Sequence, residues 1–255
     1  MKTIRFTAIL LVLAMVIAVS CKKDKKETPT PTPSTNTEYA KWIVTGTNAT
    51  YFTSFEFNKS GQAIVITPAD IIFKNYTRSG STITITDFGT IAITKLDASS
   101  FEFTLTTIGK STQETYTITT TKANQIASTG NTALLCRTWT LVSIDSVPTA
   151  GTAMDCRVLF SEAGTYLVYY LYYNTSGLSS WAWKTGSQDH FCYSWSGTPD
   201  CSSNQEVKIN TLNANLLDMT DLINGSRYIL TPYTAKATWT WGNFVQPTHP
   251  SVFGY

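Results

Sequence analysis

The chain has 255 residues, of which 42% are hydrophobic, 13% aromatic and only 14% charged. It is too apolar and too weakly charged for a disordered chain, and long enough for one or two hydrophobic cores. The formal charge of +2 is concentrated in front of Tyr39, where Lys2, Arg5, Lys22, Lys23, Lys25 and Lys26 lie; from Tyr39 onward 13 Lys/Arg face 14 Asp/Glu. A body so nearly neutral lacks the electrostatic footprint of a nucleic-acid-binding protein.

Residues 1–20 have a positive start, an apolar run from Ala8 to Val19, and Ser20 immediately before Cys21. This is the pattern of a secretory leader, and the run is shorter than the roughly 20 residues a bilayer span needs. Ala18-Val19-Ser20-Cys21 resembles a lipoprotein processing box, which makes Cys21 the expected lipidation site. Ala18 departs from that pattern, standing where Leu is commonest. Residues 21–38 continue as a Lys-rich knot and an alternating Thr/Pro tether. Alternating proline keeps such a chain extended, enough to hold a domain roughly 50 Å from its anchor. A Ser-Cys-Lys-Lys-Asp start followed by this tether is similar to the lipoproteins of Bacteroidota. The resemblance implies a bacterial cell-envelope protein held by N-terminal acyl chains, at the outer membrane and facing the periplasm or the surface.

From Lys41 to Ala123 short apolar runs alternate: Phe55-Glu-Phe57, Ile64-Val-Ile66, Ile83-Thr-Ile85, Ile91-Ala-Ile93, Phe101-Glu-Phe103 and Tyr116-Thr-Ile118. A period of two predicts half-buried strands, and Asn58-Lys-Ser-Gly61, Arg78-Ser-Gly80 and Asp87-Phe-Gly89 supply the turns between them. The first half parses into strands at roughly 41–46, 50–57, 62–67, 70–76, 81–87, 89–94, 100–107 and 114–121.

The same succession returns. Trp42 matches Trp139, and Phe57 with Gly61 matches Phe160 with Gly164. Ile91, Ile93, Leu96, Phe101 and Phe103 match Val207, Ile209, Leu212, Leu217 and Met219, and Tyr116 and Ile118 match Tyr228 and Leu230. The offsets are 97, 103, 116 and 112, as expected of a tandem repeat whose strands are kept while its loops change length. Strands are predicted in the second half at roughly 137–144, 156–161, 165–173, 179–184, 190–196, 204–209, 215–222 and 227–234.

Eight short antiparallel strands in sequence suit an up-and-down barrel, because closure removes unpaired edges. The expected fold is therefore all-β, with domains at 39–125 and 134–255, the second carrying an aromatic tail. Two β-sandwiches are the alternative. The order of an early Trp, Phe-x-x-x-Gly, an Ile-x-Ile ladder and a terminal Tyr strand is similar to the lipocalin-like domains of Bacteroidota lipoproteins.

Cys136, Cys156, Cys192 and Cys201 all lie in the second half. An even number behind an export signal predicts two disulfides. Three connectivities are possible; Cys192–Cys201 would staple a hairpin, whereas antiparallel register puts Cys136 and Cys156 at opposite ends of neighbouring strands. No C-x-x-C occurs, and His190 and His249 are the only histidines, so no metal site or other cofactor is expected.

Strand parity points Glu56, Glu102 and Asp218 away from their apolar neighbours and toward water. No nucleophile elbow, zinc-protease motif, phosphate loop or dinucleotide fingerprint is present, and Asp189-His190 reads as a polar turn. No catalytic residue is expected. The aromatic run Tyr166-Leu-Val-Tyr-Tyr-Leu-Tyr-Tyr173 is apolar on both strand faces, so something must cover the second face: the first domain, the tail or a partner. Tyr170, Tyr172, Trp181, Trp183, Tyr193 and Trp195 are the candidate binding residues, since aromatic planes with polar tips suit a small hydrophobic molecule or a glycan. The expectation is a non-enzymatic ligand binder; the alternative is an envelope protein that docks another through an aromatic β face. Asp145-Ser146-Val147 resembles the Asp-Ser/Thr-aliphatic sequon of Bacteroidota O-glycosylation.

Overall fold

A computed structural model describes residues 37–108, 113–203 and 205–234. The leader, Cys21, the tether before Thr37, and the tail from Ala235 with Trp239, Trp241, Phe244 and Phe253 lie outside the described residues.

The first domain is a closed antiparallel barrel in chain order: β1 (Lys41–Thr45), β2 (Ser54–Phe57), β3 (Gln62–Ile66), β4 (Ile71–Ser79), β5 (Thr82–Ile85), β6 (Gly89–Leu96), β7 (Ser100–Thr107) and β8 (Thr115–Lys122). The second opens with a short helix, Asn131–Leu135, followed by β9 (Thr138–Ile144), β10 (Val147–Pro148), β11 (Cys156–Phe160), β12 (Thr165–Tyr170), β13 (Thr175–Trp183), β14 (His190–Ser194), β15 (Glu206–Leu212), β16 (Leu217–Asp221) and β17 (Arg227–Pro232). Pairing of β9 with β17 closes it as an eight-stranded barrel, with β10 a two-residue flap on β9. Two barrels, not sandwiches, are formed.

The repeat is preserved to the level of single hydrogen bonds. Trp42 and Trp139 each donate from Nε1 to the carbonyl four residues earlier, Glu38 at 2.8 Å and Leu135 at 2.9 Å. Trp42 pairs with Phe55 as Trp139 pairs with Val158, and Gln62 faces Asn75 as Thr165 faces Ser180. Gly61 and Gly164 both hold φ +75°, and their carbonyls accept from the Tyr76 and Trp181 amides. Tyr76 Oη and Trp181 Nε1 then donate to the matching carbonyls of Asn58 and Ser161. Even the register slip in β6–β7, between Ile93 and Lys95, returns in β15–β16 between Ile209 and Thr211.

One alignment needs correction. Phe103 pairs with Ile118, whereas Met219 pairs with Tyr228, so Tyr228 stands at the place of Ile118 and Leu230 at that of Thr120. The last strand is offset by 110, not 112; a slide of two residues keeps the inward face inward, which is why alternation alone does not detect it.

Each barrel has its own core. Phe55, Phe57, Ile83, Ile85, Phe101 and Phe103 fill the first, and Trp139, Phe160, Tyr166, Trp181, Phe191 and Met219 the second. A third cluster lies between the barrels: Ile64 packs with Leu159 and Leu167, flanked by Ile66, Ile71, Phe73, Tyr169 and Leu178. These are the outward-facing residues of β3–β4 and β11–β13. The second apolar face of β12 is thus covered by the first barrel.

Candidate functional site

Three of the six aromatic candidates belong to the core rather than to a pocket. Trp181, Tyr170 and Tyr193 are buried inside barrel two, with Trp181 1% exposed. Trp183 is plugged by the short helix, its Nε1 donating to Thr132 Oγ1 at 2.8 Å. Trp195 lies over Gly177, where an added Cβ would come within 3.1 Å of the indole, and its ring is 5.8 Å from that of Tyr166. This filling leaves the expected aromatic mouth of barrel two occupied by its own side chains.

Tyr172 is different. The predicted strand 165–173 ends at Tyr170, because Tyr170 pairs with Thr175 and the chain turns through Leu171–Asn174, with Asn174 at φ +50°. The turn carries Tyr172 out of the barrel into a cleft of about 370 Å³ at the seam. Barrel one contributes Phe73, Lys74 and Asp87; barrel two contributes Asp155, Arg157, Tyr169, Tyr172 and Tyr233. Phe73 and Tyr169 meet across the seam, ring centres 5.6 Å apart, and burial raises the Tyr169 phenol above its ordinary pKa. Arg157 lies on the outward parity of β11; its guanidinium is 3.3 Å from Asp155 and 5.3 Å from the Tyr233 ring centre. Lys74 is 3.9 Å from Asp87 on the opposite wall. Each cation therefore has an anion beside it, and aromatic planes separate the pairs. Such a wall binds an amphipathic ring by stacking and hydrogen bonds and offers no net field to attract a charged one.

Domain junctions are frequent sites of pockets of this size. Phe73, Tyr169, Arg157 and Tyr233 are not legible as site residues in the sequence, because a junction joins residues that are remote along the chain; the doubly apolar β12 signals that a partner exists, without saying which.

The expected solvent exposure of the acids fails at two positions. Glu56 does point out of its barrel, but into the seam: it is 3% exposed and its Oε2 accepts from Thr165 Oγ1 at 2.6 Å. Asp218 is 4% exposed and accepts from Arg227 Nη2 at 2.6 Å; that hydrogen bond holds its carboxyl below the usual range. Glu102 remains at the surface near Lys95.

Asp189 and His190, adjacent in sequence, do not form the closest acid and imidazole pair. His190 Nδ1 lies 2.5 Å from Glu206 Oε1, and Lys184 Nζ 2.8 Å from the same oxygen. These groups form a surface ion cluster away from the cleft. Among the described residues no group of His, Cys, Asp and Glu is arranged to hold a metal ion, and no helix is long and apolar enough to cross a membrane.

Only one of the two expected disulfides is formed, Cys192–Cys201. Cys136 and Cys156 are free thiols, on opposite ends of paired strands as antiparallel register requires. Burial pushes the Cys156 thiol up to about 12. Ser146 is exposed at the tip of the β9–β10 turn, where Asp145 and Ser146 have φ of 47° and 70°.

Neither a protein-family model nor a curated protein matches this sequence.

Proposed function

We propose that this is a non-enzymatic, lipid-anchored envelope protein that holds a neutral amphipathic ring, a sugar above all, in the cleft between its two barrels. The single observation that carries this reading is the cleft's composition: Tyr172, Tyr169, Phe73 and Tyr233 around charges that are paired on each wall. Stacking on aromatic faces with a few hydrogen bonds suits a saccharide. Barrel two supplies most of the wall, in keeping with its aromatic excess. Acylation at Cys21 would provide the membrane attachment. The alternative of docking through an aromatic β face has less support, because the outward face of β12 already meets barrel one.

Titration of the acyl-free protein with neutral hexose and N-acetylhexosamine disaccharides, followed calorimetrically, tests the site. Binding should weaken about tenfold or more in Tyr172→Ala, on the scale of a lost stacking contact, and stay unchanged in Tyr51→Ala, an exposed aromatic on barrel one. Equal binding by both variants would remove the cleft from consideration. Metabolic labelling with a fatty acid should mark the wild-type chain and not Cys21→Ser.

A further inference from the structure

The contacts across the seam come in reciprocal pairs. Strand registers make Lys41 equivalent to Thr138, Gln62 to Thr165, and Phe73 to Leu178. Lys41 Nζ donates to Thr165 Oγ1 at 3.3 Å, and the equivalent pair with the barrels exchanged, Thr138 Oγ1 to Gln62 Oε1, is also hydrogen-bonded. Phe73 meets Tyr169, and their equivalents Leu178 and Ile66 belong to the same cluster. Residues that are equivalent to one another also come together: Ile64 and Leu167 share that cluster, and Lys59 Nζ is 3.8 Å from Glu162 Oε1. A groove of about 350 Å³ on this line contains both members of several pairs, Phe57 with Phe160, Asn58 with Ser161 and Lys59 with Glu162.

If residue i of one body touches j of the other, while j of the first touches i of the second, the bodies are related by a two-fold axis. A residue meeting its own equivalent lies on that axis. We infer that the seam is an isologous contact enclosed in one chain: the outer faces of β2–β4 and β11–β13 are two versions of one self-complementary surface, and the partner each face fits is its equivalent on the other barrel. The contact is closed, so it joins two bodies and does not propagate.

Two positions direct the pairing. At the axis a like pair would set Lys against Lys or Glu against Glu, whereas the chain sets Lys59 against Glu162. Off the axis Glu56 occupies the place of Leu159, so two copies of the first face would bury two carboxylates where the chain buries one. The charge difference at Lys59 and Glu162 disfavours both like pairs, and Glu56 disfavours the pairing of two first faces.

Exchange of equivalent residues tests the symmetry on the intact chain. The barrel-two half alone, Thr138→Lys, Leu159→Glu and Thr165→Gln, buries a second carboxylate and should lower the melting temperature by roughly 5 °C or more. Completing the exchange with Lys41→Thr, Glu56→Leu and Gln62→Thr moves each contact to the other side of the axis and should recover most of that loss. No recovery would overturn the inference. At the solvent-exposed rim, where folding is not at stake, Lys59→Glu with Glu162→Lys should melt as wild type while each single change melts lower in low salt; an exchanged chain no better than the singles would equally overturn it.

Discussion

Barrel one and barrel two share one backbone register and differ in what fills it. Barrel one is packed with hydrocarbon and phenyl groups, Phe55, Phe57, Phe101 and Phe103 in mutual ring contact. Barrel two has Val158, Phe160, Leu217 and Met219 at those four positions and places rings with polar tips elsewhere, Tyr166 where barrel one has Ala63, Tyr193 where it has Ile85 and Tyr228 where it has Ile118. A buried tip needs a partner, and Trp181 finds the Ser161 carbonyl while Tyr193 Oη donates to Asp221 at 3.2 Å. That hydroxyl is pushed above its ordinary pKa by burial and by the neighbouring acid. Among the described residues, barrel two also has a disulfide and a short α-helix without counterparts in barrel one. Hydrogen-bond register thus fixes the barrel, while its contents vary within the limits of volume and polar satisfaction.

The comparison is strained most by removing what the barrels have in common. Trp42→Ala and Trp139→Ala delete equivalent buried indoles, and each should cost about 3–5 kcal/mol by denaturant unfolding; a large inequality would mean that the two positions are not equivalent. Leu167→Asp puts a charge against Ile64 in the seam. It should cost roughly 3 kcal/mol and split a single unfolding transition into two, with both barrels retaining their strand content by circular dichroism.

Smaller effects sharpen the differences. Cys192→Ser with Cys201→Ser opens a loop with a sequence separation of 9, and should cost about 2–3 kcal/mol; in the Leu167→Asp background the loss should fall on the barrel-two transition alone. Glu56→Leu installs the residue that barrel two uses at the equivalent place; stability should change by less than about 1 kcal/mol, since replacing a buried carboxylate by an apolar side chain is often neutral. The smallest effect is electrostatic. Arg227 lowers the pKa of Asp218 on folding, so the carboxylate stabilises the fold above its unfolded pKa and that contribution fades as pH falls through the carboxylate range. Acid unfolding of Asp218→Asn should be less steep than that of the wild type.

Alternation and turn residues made nearly every strand legible, because a half-buried strand must alternate. What parity cannot say is what lies outside. Glu56 was correctly read as pointing out of its barrel and wrongly read as solvated, since outside at that point is another barrel. Trp181 and Tyr193 carry the same aromatic signature whether they bind a ligand or fill a core, and only the closure of the barrel around them decides. Tyr172 was found for its aromatic character, but its place in the cleft depends on a turn that the apolar run disguises. The cleft's other walls, Phe73 and Arg157, become neighbours only when the barrels pair.

The packing of the two outer faces against each other is the claim on which cleft and symmetry both depend. Methyl-selective nuclear Overhauser spectroscopy on Ile- and Leu-labelled protein measures it directly. A cross-peak between Ile64 and Leu167 methyl groups, with both protected from a soluble paramagnetic agent, is the expected result. Absence of the cross-peak, with those methyls broadened like surface residues, would contradict the account.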